Sequence, residues 1–183
     1  MKLNWKNKAP KEFYPKAVKL FGKPNVVAKE KGGLAIWYPK KTNLYCEHVL
    51  RDESIKHCAP AHHIDYFYSF IKFYVPPKKR LDIFKISGSV SYDGLKKQIG
   101  ARCASLEANI ATNYLVMAVA SGKFTIQQVD KKGLYGAYIR GEVKPYNELE
   151  KEMIQMKKEN HKKYKKELKL EYDPLAFNQC GKS

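Results

Sequence analysis

A chain of 183 residues with 44% hydrophobic content is long enough to bury one core of ordinary size and has no need of disulfide staples. Its 35 lysines and arginines against 18 aspartates and glutamates give a net charge of +17, which predicts attraction to a polyanion such as a nucleic-acid backbone, an anionic membrane face or an acidic protein. No run of eighteen apolar residues occurs, and MKLNWKNKAP lacks the apolar stretch of a signal peptide, so a soluble protein of a reducing compartment is expected, with no transmembrane segment. The four cysteines, Cys46, Cys58, Cys103 and Cys180, are irregularly spaced and read as free thiols or ligands.

Four of the basic residues are arginine, Arg51, Arg80, Arg102 and Arg140, and all others are lysine. Lysine suits diffuse anionic surfaces, whereas the arginine fork reads guanine edges, so the skew argues against sequence-specific base readout. Net positive charge is densest in a basic N-terminal arm, residues 1–23. There Lys2, Lys6, Lys8, Lys11, Lys16 and Lys19 are candidates to meet phosphates, and Trp5, Phe13, Tyr14 and Phe21 can stack on bases or anchor the arm to a core.

PKEFYPKAVKLFG predicts a short helix closed by Gly22 and limited by Pro15. Two apolar runs around KEKGG, at 25–28 and 34–38, predict a β-hairpin. TNLYCEHVLRD and DYFYSFIKFYV predict two further strands, the first placing Cys46 and His48 on one face, and Pro76 and Pro77 end the second. LDIFKIS reads as a strand. YDGLKKQIGARC and SLEANIATNYLVMAVASG then read as helices, the latter apolar nearly all round with Ser105 as its cap. TIQQVDKKG predicts a short helix between Thr125 and Gly133, and LYGAYIRGEV a return to the sheet or a loop. The fold class expected for a core domain at 24–146 is α+β, a small antiparallel sheet packed against helices.

Residues 147–183 are expected to form a long charged helix and a tail. Its apolar stripe, Leu149, Met153, Met156, Tyr164 and Leu168, is narrow, and the lysines around it fit poorly against a body that is already positive. The stripe is therefore assigned to a partner, together with the hydrophobic hook of Leu175 and Phe177.

Residues 46–63 gather Cys46, Cys58, His48, His57, His62 and His63. Zinc would draw on Cys46, His48, Cys58 and either His62 or His63, although the spacing departs from the usual knuckle. Alternatively Cys58, His62 or His63, and Asp65 could act as nucleophile, base and orienter. No nucleophile elbow, phosphate loop or HExxH accompanies them, so the expectation is a protein without enzymatic activity or cofactor, zinc being the one alternative.

GGLAIW, HCAPAHHIDYFYS, VPP and SGSVSYDGLKKQIGARCASLEANIAT, spread over residues 32–140, resemble a protein family of the nucleocytoplasmic large DNA viruses. The resemblance implies a viral protein made in host cytoplasm and packaged in the virion as a minor capsid or capsid-associated component, bound to other virion proteins. It transfers no catalytic or binding residue. The alternatives are a sequence-independent nucleic-acid-binding or genome-packaging protein, and a thiol- or zinc-dependent enzyme.

Overall fold

The computed structural model describes residues 3–28, 32–40, 43–57, 62–131 and 133–169. Helix α1 (Lys8–Phe21) runs through Pro15, and the expected hairpin follows as β1 (Val26–Ala28) and β2 (Leu34–Trp37). The next two predicted strands are β3 (Glu47–His57) and β4 (His63–Lys72).

Two segments then correct the sequence reading. LDIFKIS forms helix α2 (Arg80–Phe84) rather than a strand, because Pro77 starts a 3-10 turn that hands the chain to a helix and buries Ile83 and Ile86 three residues apart. YDGLKKQIGARC spans the end of β5 (Val90–Asp93), a turn and β6 (Gln98–Cys103) instead of a helix. Asp93 Oδ1 accepts the N–H groups of Leu95 and Lys96 at 2.9 Å, and Lys97 takes a φ of 51°, so the apparent helical period is a hairpin turn.

Helix α3 (Leu106–Ser121) is capped by Ser105, whose Oγ accepts the Ala108 N–H at 3.2 Å. Thr125 and Gln128 cap each other's backbone N–H groups at the start of α4 (Ile126–Lys131). LYGAYIRGEV contributes α5 (Leu134–Ile139), after which come α6 (Tyr146–Lys163) and α7 (Lys165–Lys169).

The fold is α+β: one six-stranded antiparallel sheet, ordered β1-β2-β3-β4-β6-β5, with helices packed on it. Alternation along the strands sorts their side chains onto two sides. On one side Trp37, Leu50, Phe67, Ile71 and Ile99 are buried beneath helices that include α1 and α3. Helix α3 is polar where it meets β4, with Asn109 Nδ2 donating to Phe67 O and Asn113 Nδ2 to Ser69 O, both at 3.1 Å. A bulge in β3 between Leu50 and Ile55 shifts the pairing parity, so Tyr66 joins Phe67 against Phe13 of α1.

The described parts of both terminal pieces, residues 3–23 and 147–169, include residues of this core. The arm is pinned by Asp52, whose carboxylate accepts the N–H groups of Lys6 at 2.6 Å and Asn7 at 2.8 Å. Its aromatics turn inward: Phe13 is buried, and Trp5 lies so close over Gly33 that a Cβ there would sit 2.4 Å from the indole. Stacking bases on the arm is thereby ruled out for Phe13.

The partner stripe on α6 is corrected in the same way. Leu149, Met153 and Met156 are buried against the chain's own core, and Tyr164 packs on Tyr74 at 4.6 Å. Three polar latches hold the helix there. Asn160 exchanges two hydrogen bonds with the Tyr74 backbone, His161 Nε2 meets Lys72 O at 2.9 Å, and Lys157 Nζ donates to the carbonyls of Asn43 and Leu44. Charge clustering misled because these polar groups satisfy exposed strand ends within the chain. Leu168 is half-buried on α7, and Leu175 and Phe177 lie outside the described residues.

Candidate functional site

The expected zinc set does not converge. Cys46 pairs with the Phe70 end of β4, where its N–H and Sγ both donate to Phe70 O, and His48 lies opposite Ser69. His62 precedes the far end of the same strand, eight residues from Phe70, a span of roughly 25 Å at about 3.3 Å per residue. Ligands of one zinc each sit about 2 Å from it, so Cys46, His48 and His62 cannot share an ion. Cys58 lies outside the described residues, and among those described no three His, Cys, Asp or Glu groups are placed to hold a metal.

Cys46 and His48 have local work instead. His48 is 1% exposed and stacks between Phe21 at 4.3 Å and Phe67 at 5.7 Å, and burial lowers it to about 4, so it is neutral. Burial raises the Cys46 thiol, which leaves it a weak nucleophile. Of the catalytic alternative, His63 Nε2 does meet Asp65 Oδ1 at 3.0 Å. Asp65 also takes Ser89 Oγ and Arg102 Nε, each at 3.4 Å, so it is the centre of a structural network.

The lysines of the arm stay on the surface. Lys6, Lys8, Lys11, Lys16 and Lys19 are exposed, with Glu12 as the one acid of α1. Lys2 lies outside the described residues.

What sequence reasoning missed is the side of the sheet turned away from the helices. Tyr68 and Phe70 stack there at 6.1 Å and 15°. Antiparallel register sets Arg102 of β6 beside Tyr68, and two guanidinium groups approach that ring: Arg51 at 5.2 Å and Arg102 at 5.9 Å. Phe70 lies flat over Gly100, its partner in register, where a Cβ would come within 2.4 Å of the ring. Arg51, Tyr68 and Phe70 line a shallow groove of about 360 Å³ with Lys96 and Gln98.

Three acids stand on this side, of which Glu47 lines the groove opposite Phe70 and two are engaged within the protein. Glu53 accepts the Tyr68 hydroxyl at 2.6 Å and pairs with Arg51 at 3.4 Å, and Asp93 is engaged by its turn. The Arg51 side chain is 54% exposed although paired with Glu53, and Arg102 is held by Asp65. Half of the chain's four arginines thus converge on one aromatic ring. The period-two spacing of Tyr68, Phe70 and Lys72 was visible in the sequence, but the arginines come from other strands and needed the register.

Compared with known protein families, curated proteins and solved structures, the chain matches none.

Proposed function

We propose that this protein is a non-enzymatic, sequence-independent binder of single-stranded nucleic acid, working through the open side of its sheet. The carrying observation is Tyr68, an accessible ring stacked on Phe70 and flanked by Arg51 and Arg102. Unstacked bases bind such rings whatever their identity, and the cations nearby meet the backbone. The arginine skew fits: two arginines engaged on a ring serve stacking and charge, not a base code. Within the virion that the sequence resemblance implies, this makes the chain a genome-contacting structural component.

Fluorescence anisotropy with a labelled single-stranded oligonucleotide tests the reading. Tyr68→Ala should cost about 1–3 kcal/mol of binding, the usual worth of one base–aromatic stack, with the fold intact. Unchanged affinity in a folded Tyr68→Ala, Phe70→Ala double variant overturns it. Mass spectrometry of purified particles tests the setting: the protein should stay with the genome-containing core when the shell is stripped.

A further inference from the structure

A second site lies on the helix-covered side of the sheet. Between α1, β2, the start of β3 and α6 a pocket of about 490 Å³ opens to solvent, a size suited to a small ligand. Its walls are aromatic, from Phe21, Trp37 and Tyr45. Polar groups converge on it from two elements that the fold alone brings together, His48 of β3 and Glu150 of α6.

The polar groups are unusual for a core. Tyr45 is 8% exposed and its buried hydroxyl, though beside Glu150, makes no hydrogen bond of ordinary geometry. A ligand atom could supply this hydroxyl with a partner of ordinary geometry. His48 uses one ring nitrogen, Nδ1, at 3.0 Å from Ser69 Oγ. Asn109 Nδ2 donates to that same oxygen and, through Phe67 O, has its amide orientation fixed, so Ser69 Oγ already accepts one bond. The neutral imidazole meets Ser69 through Nδ1, and its other nitrogen, Nε2, offers the pocket a donor or an acceptor according to the tautomer. Burial raises the Glu150 carboxyl, so it too can hold a proton or take one from a ligand donor. Outside these groups stand two exposed cations, Lys23 and Lys40.

We infer that this pocket binds a planar nitrogen heteroaromatic carrying an anionic group, a molecule of mononucleotide size. The rings of Phe21 and Tyr38 flank its plane, His48 Nε2 and the Glu150 carboxyl meet its polar edges, and Lys23 and Lys40 neutralise its anion at the mouth. Charge complementarity fixes the orientation, because the lysines are the groups at the opening and the interior has no free cation to meet an anion. This site is independent of the nucleic-acid surface, since Trp37 and His48 alternate with residues of the other side of the sheet.

Adenosine 5′-monophosphate is the probe, titrated into the full chain and followed by NMR. Trp37 is the reporter: its indole N–H donates to Gly22 O at 2.9 Å beside the pocket. The expected result is a saturable shift of the Trp37 indole and His48 ring signals. Joint Lys23→Gln and Lys40→Gln should weaken it about threefold or more, these being exposed positions where the fold is safe. His48→Phe should weaken it about tenfold through loss of the Nε2 hydrogen bond. No shift at Trp37, or a shift indifferent to both lysines, overturns the site. Shifts confined to Tyr68 and Phe70 also overturn it, while leaving the open-face reading standing.

Discussion

Phe67 and Phe70 stand three residues apart on one strand and do opposite jobs. Phe67 is 0% exposed, with the rings of Phe13, Phe21 and His48 within 6 Å. Phe70 faces away from the helices, over the one residue without a Cβ to obstruct it, Gly100. A sheet can spend one set of alternate residues on stability and keep the other for contact, so aromatic content by itself says nothing about role. The sharpest way to break the comparison is truncation. Phe67→Ala should cost about 3–5 kcal/mol in urea unfolding, whereas Phe70→Ala should cost about 1 kcal/mol because its ring keeps water on one side. Equal costs would mean that the open side is a second core face.

Acid acts on the covered side in two windows. His48 is buried and neutral near 4, whereas its unfolded counterpart titrates at 6.5, so the unfolded chain takes up the proton first. The sign follows: this contribution is present above 6.5 and lost as pH falls toward 4, on the order of 2–3 kcal/mol. Glu152, held at about 2 against an ordinary 4.5, acts in a lower window, its contribution lost between those values. Its depression comes against its own partial burial, from Lys123, Lys144 and the Tyr114 hydroxyl. Stability measured from pH 6.5 to 4.5 should therefore fall in the parent and fall less in His48→Phe. An unchanged slope would put the buried imidazole out of the balance.

How much of this was legible follows from how far each signal reaches along the chain. The hairpin, β3, β4, α3 with its Ser105 cap, and α4 with Thr125 rest on local periodicity and capping, and the fold class follows from them. The β5–β6 hairpin was lost because four turn residues supplied a false helical period, which only pairing with β4 resolves. The role of α6 was lost because its polar anchors, Lys157, Asn160 and His161, look like solvated charge until the strand ends they satisfy are known. His48 was singled out as a zinc ligand, but the residues named with it do not converge. Its real neighbours, Tyr45, Ser69 and Glu150, are brought by register and by α6.

Asp52 tests whether the arm belongs to the covered side or merely visits it. Burial works against its ionised form, yet the N–H groups of Lys6, Asn7 and Gly33 outweigh this and hold the carboxylate below its usual range. Asp52→Ala removes those acceptors from a half-exposed site and should cost about 1–2 kcal/mol. Amide exchange should quicken at Lys6 and Asn7 first. Protection unchanged at both would mean that the Phe13 contacts alone hold the arm.

The smallest expected effect is the most telling about function. The exposed lysines of α1 lie over the covered side, because Phe13 and Ala17 of that helix are buried among residues that alternate with Tyr68. An oligonucleotide on the open side is therefore out of their reach, and they act on it only through the long-range field, which is screened within about 10 Å at 0.1 M salt. Lys8, Lys11, Lys16 and Lys19 changed together to Gln should leave affinity within about threefold at that salt and the slope of affinity against salt nearly unchanged. Were those lysines the phosphate contacts, the slope would fall by about 0.7 for each, close to three in all. A drop of that size would move the interface from the open sheet to the back of α1 and make the Tyr68 cluster a structural device.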